Sequence, residues 1–223
     1  MFRSLCVMDC YLRTSEHLNF QNLLPSELLN LTPHMKSDLR RLIRQRKQAL
    51  SRVERDSQSI EIMRLLEDHS VFQKARVVLL YAALSDEVQT LPCIERWSAT
   101  KQILLPVVVG DCLELRRYTH PTELRQGSLG ILEPTDNLIC TDYASIDLAV
   151  IPGVAFTPEG VRLGRGKGFY DRLLSHPAFE RVHKMGICFP CQMMQKLPSQ
   201  PHDVRMNEVL TLYSATSTLI LEP

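Results

Sequence analysis

The sequence has 223 residues, 44% of them apolar and 23% charged, which is enough apolar material for one sizeable core. Its formal net charge is +1, so no global field draws it to nucleic acid or to a membrane surface, and any anion site must be built from a local cluster of cations. The longest apolar run, Val77 to Leu84, falls far short of the roughly 20 residues that span a bilayer.

Residues 1–34 carry prolines and helix-breaking Asn and Ser with no sustained period, and Asp9 and Arg13 spoil any reading as a signal peptide. An unpatterned N-terminal extension is expected there, or an over-called start with Met35 as the true initiator, followed by a single domain over 35–223. From Lys36 to about Arg55, Leu39, Leu42, Ile43, Leu50 and Val53 recur at helical spacing. The other faces of that helix are basic, and Lys36 and Arg40, four apart, share one of them. A second helix is predicted over Ile60–Lys74, with Ile60, Met63, Leu66 and Phe72 inward.

Arg76–Leu84 reads as a strand buried on both faces. Glu87–Ala99 reads as a helix with Pro92 in its first turns. Gln102–Val109 and Asp147–Pro152 are further buried strands, and Leu113–Tyr118 alternates like a half-exposed one. Phe169–Ser175 is a short helix, and Lys184–Phe189 and Val209–Tyr213 are the last strands. Buried strands alternating with helices predict an α/β fold, a three-layer α/β/α sandwich around a mostly parallel sheet. Seven scattered cysteines in a chain too large to need disulfide staples point to a reducing cytoplasm. Cys188 and Cys191 have redox spacing, but without a second Cys/His pair they read better as two semi-buried thiols after a strand.

The chemistry is concentrated between Ile151 and Arg172, where Gly164, Gly166 and Gly168 alternate with Arg165 and Lys167 directly before a helix. Alternating glycines let successive backbone N–H groups face one concavity, and the helix terminus and two cations add positive charge. Together they describe a polyphosphate site. Neither a Walker A loop nor a dinucleotide fingerprint is matched, because Gly168 follows Lys167 and the upstream glycine spacing differs. The alternative is an exposed glycine-rich turn with solvated charges.

The stretch Leu163-Gly-Arg-Gly-Lys-Gly-Phe-Tyr-Asp171 resembles the signature of the 5-formyltetrahydrofolate cyclo-ligase family, and the likeness extends over nearly everything from Met35 onward. It includes Lys36-Ser-Asp-Leu-Arg40, Tyr81 with Glu87-Val-Gln-Thr90, Gly130-Ile-Leu-Glu-Pro134, Asp147–Gly153, and His202-Asp203 with Glu208-Val-Leu-Thr211. The resemblance implies an enzyme that uses ATP as co-substrate with Mg²⁺ to convert 5-formyltetrahydrofolate, polyglutamylated or not, to 5,10-methenyltetrahydrofolate. It implies no nucleic-acid or membrane partner, and a monomer is expected.

By the same resemblance, Lys36, Arg40, Arg162, Leu163, Gly164, Arg165, Gly166, Lys167, Gly168, Phe169 and Tyr170 are expected to contact ATP. Glu87 and the segment from Arg165 through Gly166, Lys167 and Gly168 to Phe169 are expected to contact the folate, with Arg165 and Lys167 catalytic. Asp171 and Asp203 match the family's magnesium-associated carboxylates. Phe169 stands where many members carry Tyr, and Leu129 where the family has an aromatic wall. On the residues alone, Lys36 and Arg40 could be a solvated helix face, Glu87 an early-turn carboxylate favoured by a helix dipole, and Asp171 a partner of Arg172 or another basic neighbour. A non-catalytic nucleotide- or RNA-binding relative is the competing function, and its expected mark, a missing lysine or aspartate in the signature, is not seen.

Overall fold

A computed structural model describes residues 33–119, 124–127, 130–135 and 138–212. The N-terminal extension, apart from the backbone at 33 and 34, and the positions Leu129 and Tyr213 lie outside the described residues.

Helix α1 runs Pro33–Ala49 and α2 runs Arg52–Asp68, so the single helix predicted through Arg55 is two. The break is a capping box: Ser51 Oγ accepts from Glu54 N at 3.2 Å, and Glu54 Oε2 accepts from Ser51 N at 2.7 Å. The turn rotates the apolar faces relative to one another. Val53 and Ile60, both predicted inward, are 77% and 71% exposed, while Ile62 is fully buried in their place. His69 then caps α2 and opens the short α3, Ser70–Lys74, its Nδ1 accepting from Val71 N at 3.3 Å.

The central sheet contains β1 Val77–Leu79, β2 Gln102–Val109, β3 Cys112–Tyr118, β6 Leu148–Ile151, β9 His183–Ile187 and β10 Glu208–Leu210. Their spatial order is β10-β9-β6-β1-β2-β3, all parallel except the edge pair β2/β3. Two hairpins that the sequence reading did not foresee stand apart from it: β4 Leu124–Gln126 with β5 Leu132–Pro134, and β7 Ala155–Phe156 with β8 Arg162–Leu163. Their strands are too short for a period-2 pattern to show.

Alternate strand residues feed opposite layers, as buried parallel strands require. Val78, Leu80, Ile103, Leu105 and Val150 pack with Leu66, Phe72, Ile94 and Trp97 of α2, α3 and α4 (Leu91–Trp97). Leu79, Leu104, Ala149 and Ile151 pack with Leu173 and Leu174 of α5 (Phe169–Leu174) and with Phe179. The predicted three layers are present. A third cluster joins Leu39 and Ile43 of α1 to Val154, Ala155 and Leu163, docking α1 on the β7/β8 hairpin.

Strand β1 has β2 on one side and β6 on the other. The chain leaving β1 and the chain leaving β6 therefore diverge, and a crevice opens beyond their carboxyl ends, the usual ligand position in such sheets. β1 is shorter than predicted because side chains take over its backbone after Leu80: Thr90 Oγ1 donates to Tyr81 O, and Glu87 Oε2 accepts from Leu84 N at 3.0 Å. Helix α4 begins at Leu91 with Pro92 in its first turn, so Glu87 sits in a turn before the helix and not in the early helical turn considered above.

Candidate active site

The glycine-rich segment leaves β8 and enters α5. Gly166 has φ +107° and Gly168 φ +69°, conformations that side chains resist, so the loop geometry itself requires glycine at both positions. Gly168 caps a helix of only six residues, so the macrodipole invoked from sequence is short and the full charges of Arg165 and Lys167 matter more. On the loop's outer side Arg40 Nε donates to Gly164 O at 2.9 Å, and a Cβ on Gly166 would lie 3.4 Å from the Arg40 guanidinium carbon. One turn earlier on α1, Lys36 Nζ donates to Asp203 Oδ2 at 2.9 Å. Lys36 and Arg40 thus face the loop and its neighbour rather than bulk water.

On the inner side the loop meets the chain that leaves β1. Arg165 donates through Nε and Nη2 to Glu87 Oε1, at 3.1 and 2.8 Å, and through Nη2 to Asp86 Oδ1 at 2.7 Å. Lys47, 4% exposed and read from sequence as part of a basic outer face, reaches Asp86 from α1 and donates to its carbonyl at 2.9 Å and to its carboxylate. Burial opposes ionisation of Asp86, but hydrogen bonds from Lys47 and Arg165 outweigh it and hold the carboxyl below its ordinary range. Burial likewise disfavours the charged Arg165, and Glu87 and Asp86 more than offset that and raise its pKa. Lys167 is exposed at the cleft lip and has no hydrogen bond or ion pair among the described residues.

Beneath the loop lies Arg162, nearly sealed from solvent. Its Nη2 donates to Asp171 Oδ1 at 2.7 Å, its Nη1 reaches Pro152 O at 3.4 Å, and its guanidinium stacks 5.7 Å from the Tyr170 ring centre. The basic neighbour of Asp171 is therefore Arg162. Arg172 points away, donating to the Asp111 carbonyl in the β2/β3 turn and covering the Phe169 ring at 5.4 Å. Leu163 is buried, so only its backbone is available to a ligand.

Of the expected residues, the cleft brings together Glu87, Arg162, Gly164, Arg165, Lys167, Gly168, Phe169, Tyr170 and Asp171. Lys36, Arg40, Gly166 and Asp203 gather on the loop's far side. Among the described residues no group of three His, Cys, Asp or Glu side chains forms a metal cage. The sequence reading missed Lys47, Asp86 and Glu133. Asp86 adjoins Glu87 and Glu133 lies in the quoted Gly130–Pro134 stretch, so both were within reach, whereas the burial of Lys47 depends on how α1 docks.

The Lys36–Asp203 tie has a pH signature. Burial raises the Asp203 carboxyl, but hydrogen bonds from Lys36 and Gln200 N and the charges of Lys36 and His202 prevail and hold it below its ordinary value. A depressed folded pKa gives stability that is present at neutral pH, erodes near the unfolded value of about 3.9 and is gone below the folded one. Asp86 titrates in the same direction, so the difference between wild type and Asp203→Asn isolates the tie. Melting curves from pH 7 to pH 3 are expected to converge in acid, and parallel curves would remove Asp203 from the effect.

Comparison with known proteins agrees with this geometry. The profile of the 5-formyltetrahydrofolate cyclo-ligase family matches residues 33–212. The Escherichia coli 5-formyltetrahydrofolate cyclo-ligase is 31% identical over 176 residues, covering 76% of this chain and 96% of that protein. The Mus musculus 5-formyltetrahydrofolate cyclo-ligase is 29% identical over 188 residues, covering 78% and 92%. The NMR structure of Aquifex aeolicus 5,10-methenyltetrahydrofolate synthetase superposes with a TM-score of 0.70 at 34% identity, covering 79% of this chain and 89% of that one. A matched profile spanning the whole described domain, with the loop, the switch-point crevice and the paired cations inside it, places the chain in the 5-formyltetrahydrofolate cyclo-ligase family, among the ligases of folate one-carbon metabolism.

Proposed function

We propose that this protein uses ATP to convert 5-formyltetrahydrofolate to 5,10-methenyltetrahydrofolate, releasing ADP and phosphate. The observation that carries the reading is Lys167, a cation without a partner among the described residues, standing beside Arg165 on a loop that only glycine can form, at the lip of the cleft. The formyl oxygen at N5 attacks the γ-phosphate, N10 then attacks the activated carbon, and phosphate leaves. Phosphoryl transfer asks a protein for alignment and charge neutralisation more than for covalent help. Lys167, Arg165 and the amides of the 164–168 loop supply both, with Arg40 holding the Gly164 carbonyl and Lys36 tied to Asp203 beside it.

Glu87 accepts from pterin N–H donors in this scheme. At rest its carboxylate holds Arg165, so pterin and triphosphate each take over one half of an ion pair that the protein makes with itself. Asp171 in the cleft and Asp203 on the loop's far side would each offer an oxygen to a magnesium that arrives with the nucleotide. Asp171 keeps Oδ2 free of hydrogen bonds among the described residues, and Asp203 Oδ1 has only His202 Nε2 at 3.7 Å. Hard carboxylate oxygens beside phosphates suit this ion, which needs no all-protein cage and neutralises phosphate charge when bound. A monomer working in the cytoplasm is part of the proposal, in keeping with the free thiols of Cys93, Cys112, Cys140, Cys188 and Cys191.

Incubation with 5-formyltetrahydrofolate, ATP and Mg²⁺ is expected to produce the methenyl chromophore with equimolar ADP, and a folded protein that produces neither would sink the proposal. Asp171→Asn is expected to raise the Mg²⁺ concentration needed for half-maximal activity while leaving folate KM nearly unchanged, because an amide is a poorer ligand for a hard cation. A Mg²⁺ titration indistinguishable from wild type would remove Asp171 from the metal site.

A further inference from the structure

Three carboxylates line the cleft, those of Glu87, Glu133 and Asp171. Two are neutralised by the protein: Glu87 by Arg165 at 2.8 Å and Asp171 by Arg162 at 2.7 Å. Glu133, carried by β5, is 8% exposed and has no cation partner among the described residues. Its Oε1 accepts from Val108 N at 3.2 Å, and its Oε2 accepts no hydrogen bond from the described residues. The carboxylate lies against the bare Cα of Gly127, where a Cβ would come within 2.3 Å of both Cδ and Oε2. A carboxylate taken out of water with one hydrogen bond and no cation costs stability, so a group of this kind on a ligand cleft is accounted for by what the ligand brings to it.

Resting on the folate reading above, we propose that Glu133 is the general base that takes the proton from N10 as the ring closes. Attack by the N10 lone pair forms the carbon–nitrogen bond and leaves N10 positively charged with its hydrogen still attached. Glu133 accepts that proton, the carbon–oxygen bond to phosphate breaks, and phosphate departs with the bonding pair. The five-membered ring keeps a single delocalised positive charge. Nothing is oxidised or reduced, and the proton passes from Glu133 to solvent. Glu87 and Asp171 are the worse candidates, because each is already held by an arginine, at 2.8 and 2.7 Å.

Glu133→Gln keeps the acceptor for Val108 N and the packing on Gly127 while removing the base. It is expected to lower kcat by about 10²–10⁴-fold. Because phosphorylation precedes the lost step, rapid quenching should still show a burst of ADP stoichiometric with enzyme, followed by slow methenyl formation. Glu133→Asp, which keeps a carboxylate, should recover part of the rate. Gly127→Ala offers a second route: the carboxylate is the end of a flexible side chain and can swing aside, so turnover should fall while the melting temperature barely moves. Wild-type kcat in Glu133→Gln overturns the assignment, as does loss of the ADP burst, which would place Glu133 in phosphoryl transfer. If Glu133→Gln does not fold, undiminished turnover in Gly127→Ala overturns it instead. A wild-type protein that forms no methenyl product defeats the folate reading first, whereas an active wild type beside a fully active Glu133→Gln defeats only the role of Glu133.

Discussion

Replacing Lys167 with methionine is expected to lower kcat by about 10²-fold or more while leaving the fold intact, the usual consequence of losing one preorganised electrostatic donor. The side chain stands on the exposed part of the loop between Gly166 and Gly168, and no described residue competes for its ammonium. Arg165 differs, since Glu87 and Asp86 hold it at rest and part of its attraction for phosphate is spent on leaving them. Lys167 reaches the transferring phosphoryl group without first breaking a bond to the protein. The ATP KM should change less than kcat, because Arg165, the loop amides and the metal still hold the ground-state phosphates. Thermal stability should be nearly unchanged, since an exposed charge without a partner contributes little to folding. Steady-state kinetics and one melting curve settle the matter: near-wild-type turnover in a folded Lys167→Met protein would remove this residue from the reaction.

Much of this arrangement is legible in the sequence because it is local. Gly164 to Gly168 announce their loop through a composition that few other structures need, and Gln102–Val109 announces a strand buried on both faces by an unbroken apolar run. The break between α1 and α2 is local too. Ser51-Arg-Val-Glu54 is a capping-box pattern, and reading it would have moved Val53 and Ile60 off the apolar face. The rest depends on docking. That Lys47 is sealed against Asp86, or that Arg165 spans to Glu87 across 78 positions of chain, follows only once α1 and the β1 exit converge on the glycine loop. Glu133 is of the same kind. Its motif is readable, but the missing cation partner and the room left by Gly127 are properties of the assembled cleft.

The second large effect concerns Phe156, which no motif singles out. Phe156→Ala is expected to cost about 3–5 kcal/mol of stability, the range for emptying a fully buried aromatic site. The ring has no solvent exposure and lies across the bare backbones of Gly153 and Gly186, where a Cβ at either would come within 2.5 Å of a ring carbon. The glycines on both sides bring no side chain of their own to fill the vacated volume. That places the loss toward the upper part of the range, since the cost grows with the cavity that remains. For a domain of this size each kcal/mol shifts the melting temperature by about 2–4 °C, so a fall of roughly 10 °C or more is expected. Val53→Ala removes apolar atoms from an exposed side chain and should shift the melting temperature by much less. The position also matters to the site. Phe156 belongs to β7, pairs through its backbone with Arg162 of β8, and accepts a hydrogen bond from Met194 N at 2.8 Å, so it anchors the hairpin that delivers the glycine loop to the cleft. Below its own melting transition, Phe156→Ala should keep more of its turnover than Lys167→Met, because it loosens the platform without deleting a group that meets the phosphates. A melting temperature within about 2 °C of wild type would show that the core closes over the cavity after all.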